Sequence, residues 1–355
     1  MLGNARYPVW TNLRAKHSFK PVGVSWVTCN RETLQGARSH MTDEDFSFHA
    51  ASDGIIRVKS DEDLQTFNGS WYRGQSTNFI PSKKMLDANS AFKRFIIKGY
   101  EPPAAFIDKS TVVTAFGSCF AQNISKWLIS NGYNVLGKKL SLNSHIIRFG
   151  EGLVNTFAIL EQLEWALENK SLEEGLWFGE NKEIVLPDEN VREATEKLLM
   201  KTETLIITVG LSEVWFDKAS GRAFWRSIPK DNFDGDRHGF RLTTVDENRE
   251  NLQKIVELRD RYIPGCKIIF TLSPIPLMAT FRDINCISAN TVSKSILRIA
   301  LDDLISQKHD QVYYFPSYEL VKEVYPDPFD EDNRHPRKVY IDNIMELFAR
   351  VYCTE

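Results

Sequence analysis

Residues 111–121 read Thr-Val-Val-Thr-Ala-Phe-Gly-Ser-Cys-Phe-Ala. The first six are β-branched or apolar, as in a strand that is covered on both faces of a parallel sheet. Gly117 interrupts the run, and a helical pattern follows in residues 122–130. A sharp turn from strand to helix exposes a side chain at the carboxyl end of the sheet, where α/β proteins bind their ligands. The stretch therefore predicts an α/β fold with Ser118 or Cys119 as a candidate nucleophile.

The rest of the chain beyond residue 111 repeats this alternation. Short apolar runs occur at residues 204–209, 267–272 and 311–315, with a weaker one at 133–136. Helical patterns occur at residues 122–130, 153–169, 189–201, 246–262, 289–305 and 339–351. Alternation of this kind predicts βαβ units with right-handed crossovers. We expect a three-layer, flavodoxin-like parallel sheet of about five strands flanked by helices.

The N-terminal part has a different pattern. Residues 1–104 are rich in isolated turn residues and show only short strand candidates, at 25–28 and 54–59. Pro102 and Pro103 mark the most plausible boundary. We therefore predict a small β-containing extension over residues 1–104 and an α/β domain over residues 105–355.

Composition limits the classes of function. The chain has 355 residues, 42% of them apolar, and a formal net charge of −3, which argues against a nucleic-acid partner. No apolar run approaches the length of a membrane span, and the first residues show no signal-peptide pattern, so we expect a cytoplasmic protein. The five cysteines lack CxxC spacing, and the seven histidines are scattered. We expect neither a metal site nor a bound cofactor.

A second motif lies near the C-terminus, where Asp332-Asn-Arg-His335-Pro precedes the last helical pattern. In this motif His335 is a candidate general base, and Asp332 is a candidate partner that orients its ring. A solvated acidic loop is the alternative interpretation. Polar residues also follow two other predicted strands, at 210–213 and 273–274. Because the carboxyl ends of parallel strands share one edge, we expect these segments to converge there.

Several of these segments resemble blocks of the GSCFA family, whose members are related to the SGNH/GDSL hydrolases. Gly117-Ser-Cys-Phe-Ala121 is similar to the family signature. Further similar blocks are Thr208-Val-Gly-Leu-Ser-Glu-Val-Trp, Phe270-Thr-Leu-Ser-Pro-Ile-Pro-Leu, Ser293-Lys-Ser-Ile-Leu-Arg, Tyr314-Phe-Pro-Ser-Tyr-Glu and Asp332-Asn-Arg-His-Pro. The resemblance covers roughly residues 105–352 and implies an acyl-processing enzyme.

The resemblance leaves the nucleophile open. Aligned with the Gly-Asp-Ser-Leu pattern of SGNH enzymes, Ser118 takes the place of Asp and Cys119 that of the nucleophilic Ser. Cys119 would begin a helix, where unpaired N–H groups favour a thiolate. The alternatives are attack by the Ser118 hydroxyl, or a buried, inert Cys119.

The resemblance also implies an oxyanion hole. The backbone N–H of Cys119, an N–H of Gly150 or Gly152, and a third donor would form it. Ser212 stands where SGNH enzymes have an Asn, and Asn143 and Asn155 are alternatives for the third donor. Both glycines could instead cap the helix that follows.

Glu213, Trp215, Trp225 and Arg226 are candidate substrate-binding residues, since Trp and Arg suit stacking and hydrogen bonding to a sugar or a carboxylate. Trp225 could equally belong to the core. Lys294 is either a surface residue or part of the site. The resemblance implies transfer or removal of a small acyl group, such as acetyl, on a saccharide hydroxyl, with acetyl-CoA or another acyl donor as co-substrate. A non-catalytic carbohydrate-binding or scaffold protein is the alternative.

Overall fold

The computed structural model describes residues 47–50, 55–59, 63–68, 77–86, 91–136, 144–148, 152–179, 181–225 and 227–354. The strand candidate at 25–28 and the candidate site residues Asn143, Gly150 and Arg226 lie outside the described residues. Contacts within the chain divide it into two compact units, residues 1–76 and 77–355.

The first unit contains a three-stranded antiparallel sheet. Its strands are β1 (Ser47–Ala50), β2 (Ile55–Lys59) and β3 (Leu64–Asn68), in that spatial order. In β2, Ile56 and Val58 are buried while their neighbours are more exposed, which is the alternation of a strand with one covered face.

The second unit alternates strands and helices. Its first elements are a short helix α1 (Lys83–Leu86) and a π-helical turn (Phe92–Ile96). The parallel strands are β4 (Val113–Phe116), β5 (Thr204–Val209), β8 (Lys267–Leu272) and β9 (Val312–Tyr314), and β6 (Glu213–Asp217) and β7 (His238–Leu242) form a hairpin. The helices are α2 (Cys119–Ser130), α3 (His145–Arg148), α4 (Thr156–Glu168), α5 (Glu189–Lys201), α6 (Val245–Tyr262), α7 (Cys286–Ser306), α8 (Ser317–Glu319) and α9 (Lys338–Tyr352), with a π-helical turn at Leu320–Val324.

The four predicted strands form one parallel sheet in the order β4-β5-β8-β9, which confirms the predicted α/β class. The weaker run at 133–136 contributes an isolated parallel bridge between Val135 and Val113 on the outer side of β4. Because β4, β5, β8 and β9 run parallel, their carboxyl ends lie at the same edge of the sheet.

Each face of this sheet is covered by helices. Leu205 and Ile207 of β5 belong to a core shared with helices α4 to α7. Ile206, between them, belongs to a second core shared with α2 and α9. Because successive side chains of a strand point to opposite faces, a strand between two cores must be apolar throughout. Burial of both faces of the sheet explains why the strand segments of the sequence are apolar without polar alternation.

The β6–β7 hairpin is an element that the sequence did not predict. It follows β5 directly and pairs Glu213–Asp217 with His238–Leu242 in antiparallel register, so that Trp215 lies opposite Phe240. The two rings are in contact, with centroids 5.1 Å apart. This hairpin places aromatic side chains beyond the carboxyl end of β5.

The division at residues 104 and 105 stays a prediction. Among the described residues on its N-terminal side, Ile97 is 1% exposed and belongs to the core around α2 and α9. Of the helices in the described parts of the chain, none has the length and apolar character needed to cross a bilayer.

Gly117 joins β4 to α2 at a place where only glycine fits. Its φ is +128°, and a Cβ at this position would lie 2.1 Å from the carbonyl oxygen of Thr208 in β5. We expect Gly117→Ala to lower the free energy of unfolding by about 2–5 kcal/mol, because backbone strain adds to the clash. Gly132→Ala is the matched control: φ is +81°, with nothing within 4 Å of the added Cβ, so we expect a loss of about 1–2 kcal/mol. Equal losses in denaturant titrations would contradict the importance of the Thr208 contact.

Candidate active site

The first part of the candidate site is the turn between β4 and α2. Ser118 is the N-cap of α2, and its Oγ accepts a hydrogen bond from the backbone N–H of Phe120 at 3.1 Å. Its side chain is buried, at 5% exposure. Cys119 is the first residue of the helix, and it is partly exposed with a free thiol. The hydroxyl oxygen of Ser118 is thus engaged in capping, whereas Cys119 is only partly buried. The choice between them as nucleophile stays a prediction.

The second part is the turn that carries Asp332 and His335, just before α9. Oδ1 of Asp332 accepts from the backbone N–H groups of Arg334 (2.9 Å) and His335 (3.0 Å). Oδ2 lies 2.5 Å from Nδ1 of the His335 ring. Asn333 adopts a left-handed conformation at φ 53°, which lets the chain fold back tightly enough for these contacts. The two side chains are about half exposed, at 47% for Asp332 and 50% for His335.

The protonation of this pair follows from its hydrogen bonds. Donation from the backbone of His335, from its ring and from the backbone of Arg334 lowers the pKa of Asp332 to about 2. A carboxylate can only accept, so the proton in the short contact belongs to Nδ1. With Nδ1 as the donor, Nε2 is the ring nitrogen that is left to accept a proton. This is the tautomer that a general base requires.

The segments after β5 and β8 are buried and tightly hydrogen-bonded. The N–H of Gly210 donates to the carbonyl of Val154 at 2.7 Å, and the N–H of Ser273 donates to the carbonyl of Val209 at 2.8 Å. Both segments thus lie at the carboxyl edge of the sheet, where Gly117 contacts Thr208 of β5. The structure thus brings together the segments at 117, 210–213 and 273–274, while the convergence of the Asp332–His335 turn on the same site stays a prediction.

The predicted oxyanion-hole donors Gly152, Ser212 and Asn155 lie in different surroundings. Gly152 lines a pocket beside β5, close to the start of α4. Ser212 is 1% exposed, and its hydroxyl lies 3.2 Å from Oγ of Ser293, to which its backbone N–H also donates. Its side chain would have to rotate to reach a substrate oxygen. Asn155 lines the same pocket as Gly152, and its Oδ1 caps α4 by accepting from the N–H of Ala158. The oxyanion roles stay predictions.

A pocket of about 250 Å³ lies at the end of β5. The hairpin contributes one wall with Trp215 and Phe240, and the segment after β8 contributes Phe281. These three rings are in mutual contact, with centroids 4.9–5.1 Å apart; Phe240 and Phe281 pack edge to face, and Trp215 is tilted against both. Glu213 and Leu211 also line it. The pocket therefore combines a broad aromatic surface with a carboxylate.

Of the predicted substrate-binding residues, Glu213, Trp215 and Trp225 line this pocket. The Glu213 carboxylate is 5% exposed and accepts from Thr280 Oγ1 at 2.8 Å and from Arg282 at 3.3 Å. It therefore holds the segment after β8 against the hairpin. Trp225 is 2% exposed, and its indole N–H donates to the partly buried carboxylate of Glu161, so most of its surface belongs to the core.

Sequence reasoning missed Phe240, Phe281, Thr280 and Arg282. Phe240 and Trp215 belong to strands separated by a long connection, and no local pattern indicates that they pair. Phe281 has 61% of its surface exposed, so nothing in the apolar periodicity marks it. Within the described ranges, no group of three or more His, Cys, Asp and Glu side chains could hold a metal ion.

Comparisons with known proteins complete the description. No curated protein matches the sequence. Similar solved structures include two from Bacteroides species. One is a Bacteroides fragilis protein assigned as an acylhydrolase, with 13% identity, 74% of this chain and 96% of that chain covered, and a TM-score of 0.36. The other is a GDSL-like lipase from Bacteroides thetaiotaomicron, with 12% identity, 68% and 86% covered, and a TM-score of 0.34.

A further comparison is with models of protein families. The model of the GSCFA family matches residues 112–348, from β4 to α9, of the 355 residues. This range includes both the Gly117–Cys119 turn and the Asp332–His335 turn. The chain therefore belongs to the GSCFA family.

Proposed function

We propose that the protein is an acyl-processing enzyme, an O-acyltransferase or esterase, that acts on a saccharide hydroxyl through an acyl-enzyme on Cys119. The observation that carries the proposal is the Asp332–His335 pair. The carboxylate accepts from Nδ1, which leaves Nε2 as the candidate base on a half-exposed turn. A helix that begins at a partly exposed cysteine with a free thiol supports Cys119 as the nucleophile.

The proposed course has two steps. Nε2 of His335 takes the thiol proton, and the sulfur attacks the acyl carbonyl carbon to give a tetrahedral intermediate. The intermediate collapses as the C–O bond breaks, and the imidazolium returns the proton to the leaving oxygen, which leaves a thioester on Cys119. Water or an acceptor hydroxyl then gives its proton to His335 and attacks the thioester, which releases the thiolate. A thioester donor such as acetyl-CoA would exchange onto Cys119 with little change in bond energy.

The pocket at the end of β5 supports a saccharide as substrate. Sugar rings carry apolar C–H faces that stack on aromatic side chains, and their hydroxyl groups donate to carboxylates. Trp215, Phe240 and Phe281 offer such a surface. Glu213 also lines the pocket, but its carboxylate is already bound to Thr280 and Arg282, so the aromatic surface supports the proposal. The half-exposed His335 is consistent with a substrate that is only partly enclosed.

The test uses the purified protein with three acyl donors: p-nitrophenyl acetate, acetyl-CoA and an acetylated xylo-oligosaccharide. After rapid acid quenching, the intact mass should show one added acetyl group, and peptide mapping should place it on Cys119. Acetate release from the oligosaccharide, or acetylation of its deacetylated form, distinguishes hydrolysis from transfer. If the protein acquires no acetyl group from any of the three donors, the proposal that it is an acyl-processing enzyme is refuted.

One observation favours the alternative, a carbohydrate-binding protein whose site has lost its activity. The Ser212 hydroxyl is bound to Ser293, whereas SGNH enzymes use an Asn donor at the corresponding place. Such a protein would bind the oligosaccharide, as calorimetry would show, without forming an acyl-enzyme. Binding that Trp215→Ala abolishes, without any acetylation, would support this alternative.

A further inference from the structure

Lys294 of α7 carries a buried amino group that the proposed reaction does not use. Its side chain is 1% exposed. Nζ donates to the carbonyl oxygen of Gly210 at 2.7 Å and to that of Ser273 at 2.8 Å. These two carbonyls come directly after β5 and β8. One side chain thus joins the ends of the two central strands at the edge of the sheet where the candidate site lies.

The residue before it extends this connection. Ser293 Oγ accepts from the backbone N–H of Ser212 at 2.9 Å. The carbonyl of Ser212 in turn accepts from Thr243, from the backbone N–H at 2.8 Å and from Oγ1 at 2.7 Å. The N–H and C=O groups of Gly210 and Ser212 are therefore all hydrogen-bonded, which leaves this segment little freedom to move.

The segment that follows β8, which contains Ser273, also contacts the turn that carries the candidate base His335. Nε of Arg334, the neighbour of His335, donates to the carbonyl of Pro276 at 3.2 Å. On the other side, the Gly117 turn approaches Thr208, two residues before Gly210. Lys294 therefore lies between two backbone segments, one beside the candidate nucleophile and one beside the candidate base.

The chemistry of a lysine suits this place. Within the described parts of the chain, no carboxylate forms an ion pair with Lys294, and burial, with a smaller contribution from the charge of Arg334, lowers its pKa to about 7. A neutral amine has two N–H donors, and Lys294 has two carbonyl acceptors. The site can thus be satisfied without a buried counter-ion.

We propose that Lys294, together with Ser293, is a positioning residue that fixes the segments after β5 and β8 and thereby keeps the Gly117–Cys119 turn and the His335 turn in register. The expected effect of Lys294 on turnover rests on the proposed function. The expected effect on the backbone segments after β5 and β8 does not depend on that function, so the two effects can be tested separately.

The chain offers a matched control in Arg259 of α6. This residue is also buried, at 3% exposure, and its guanidinium donates to the carbonyls of Cys266 (2.6 Å) and Asp310 (2.9 Å). These carbonyls precede β8 and β9, at the amino edge of the sheet. Arg259→Met and Lys294→Met each remove a buried basic side chain whose N–H groups join the ends of two strands, but only Lys294 does so at the candidate site.

The test is amide hydrogen exchange on the full-length protein without substrate. In Lys294→Met we expect exchange of the amides of residues 210–213, Ser273 and Ile275 to quicken about tenfold or more, because the loss of both hydrogen bonds opens these segments locally. In Arg259→Met we expect these amides to exchange at the wild-type rate under conditions that keep it folded. Unchanged exchange in Lys294→Met, or equal changes in both variants, would overturn the proposal. Should Lys294→Met not fold, Ser293→Ala replaces it, and unchanged exchange at Ser212 would then count against the proposal.

A kinetic measurement with p-nitrophenyl acetate adds a second criterion. We expect Lys294→Met to lower kcat about tenfold or more with KM within about twofold, since misplacement affects the reacting groups rather than binding. Arg259→Met should keep both constants near wild type. Equal kcat in Lys294→Met and wild type would show that Lys294 serves stability alone. A wild-type protein that is inactive with every donor would refute the proposed function, while hydrogen exchange would still decide the role of Lys294.

Discussion

Cys119→Ala should abolish the covalent acyl-enzyme and lower turnover by about a thousandfold or more, because it removes the group that forms the bond to the acyl carbon. Ser118→Ala should keep the acyl-enzyme. It removes the N-cap of α2, in which Oγ accepts from the N–H of Phe120. We expect that loss to cost about 1 kcal/mol of stability and to weaken activity only moderately. The measurements are intact mass after quenching and steady-state kinetics on each variant.

Cys286 provides the control for this prediction. It also begins a helix, α7, and it is also partly exposed with a free thiol. Its sulfur, however, contacts the carbonyl of Leu277 at 3.7 Å and lies far along the chain from the Gly117 turn. Cys286→Ala should retain the acyl-enzyme, and iodoacetamide near neutral pH should alkylate Cys119 faster than Cys286. Loss of the acyl-enzyme in Ser118→Ala, with its retention in Cys119→Ala, would transfer the nucleophile to Ser118.

His335→Ala should lower kcat/KM by about a hundredfold or more while the fold remains intact. The ring is half exposed on a turn, so its removal takes little packing from the core. Asp332→Asn should act in the same direction but less severely, because an amide oxygen can still accept from the N–H groups of Arg334 and His335. His309→Ala is the control: this ring contacts Gln253 and Gln307 near the amino end of β9, and its loss should change kcat/KM by less than about twofold.

The pH dependence of this pair has a definite sign. The pKa of Asp332 is lowered from 3.8 to about 2 in the folded protein. A lowered carboxyl pKa means that the hydrogen-bonded turn is intact above pH 3.8 and is lost as the pH falls towards 2. Protonation of Asp332 therefore does not account for any loss of rate between pH 5 and 7. Near wild-type rates in His335→Ala across that range would remove both residues from the mechanism.

Much of the fold could be predicted from local sequence. The runs that became β5 and β8 are apolar at nearly every position because helices cover both faces of the sheet. Helix bounds were predicted to within a few residues; α7, for example, begins at Cys286 rather than at residue 289, because Asn285 caps it. The β6–β7 hairpin was missed, since its pairing joins strands separated by a long connection.

The candidate site divides in the same way. The Gly117 turn and the Asp332–His335 pair are built from neighbours in the sequence, so their geometry follows from short-range hydrogen bonds. The surroundings of Ser212 could not be predicted, because its partner Ser293 lies 81 residues away. The sequence indicated a polar residue after β5, but in the folded protein the hydroxyl of that residue, Ser212, is hydrogen-bonded to Ser293.

By itself, then, the sequence determined the class of the fold, the strand-to-helix turn at Gly117 and the pairing of Asp332 with His335, since apolar patterns, turn residues and capping act over a few residues. Only the tertiary structure decided which side chains surround these turns. It buried Lys294 between Gly210 and Ser273, and it joined Trp215 to Phe281 across the pocket. These contacts depend on how strands and helices from distant parts of the chain pack, and packing of that kind leaves no local signal in the sequence.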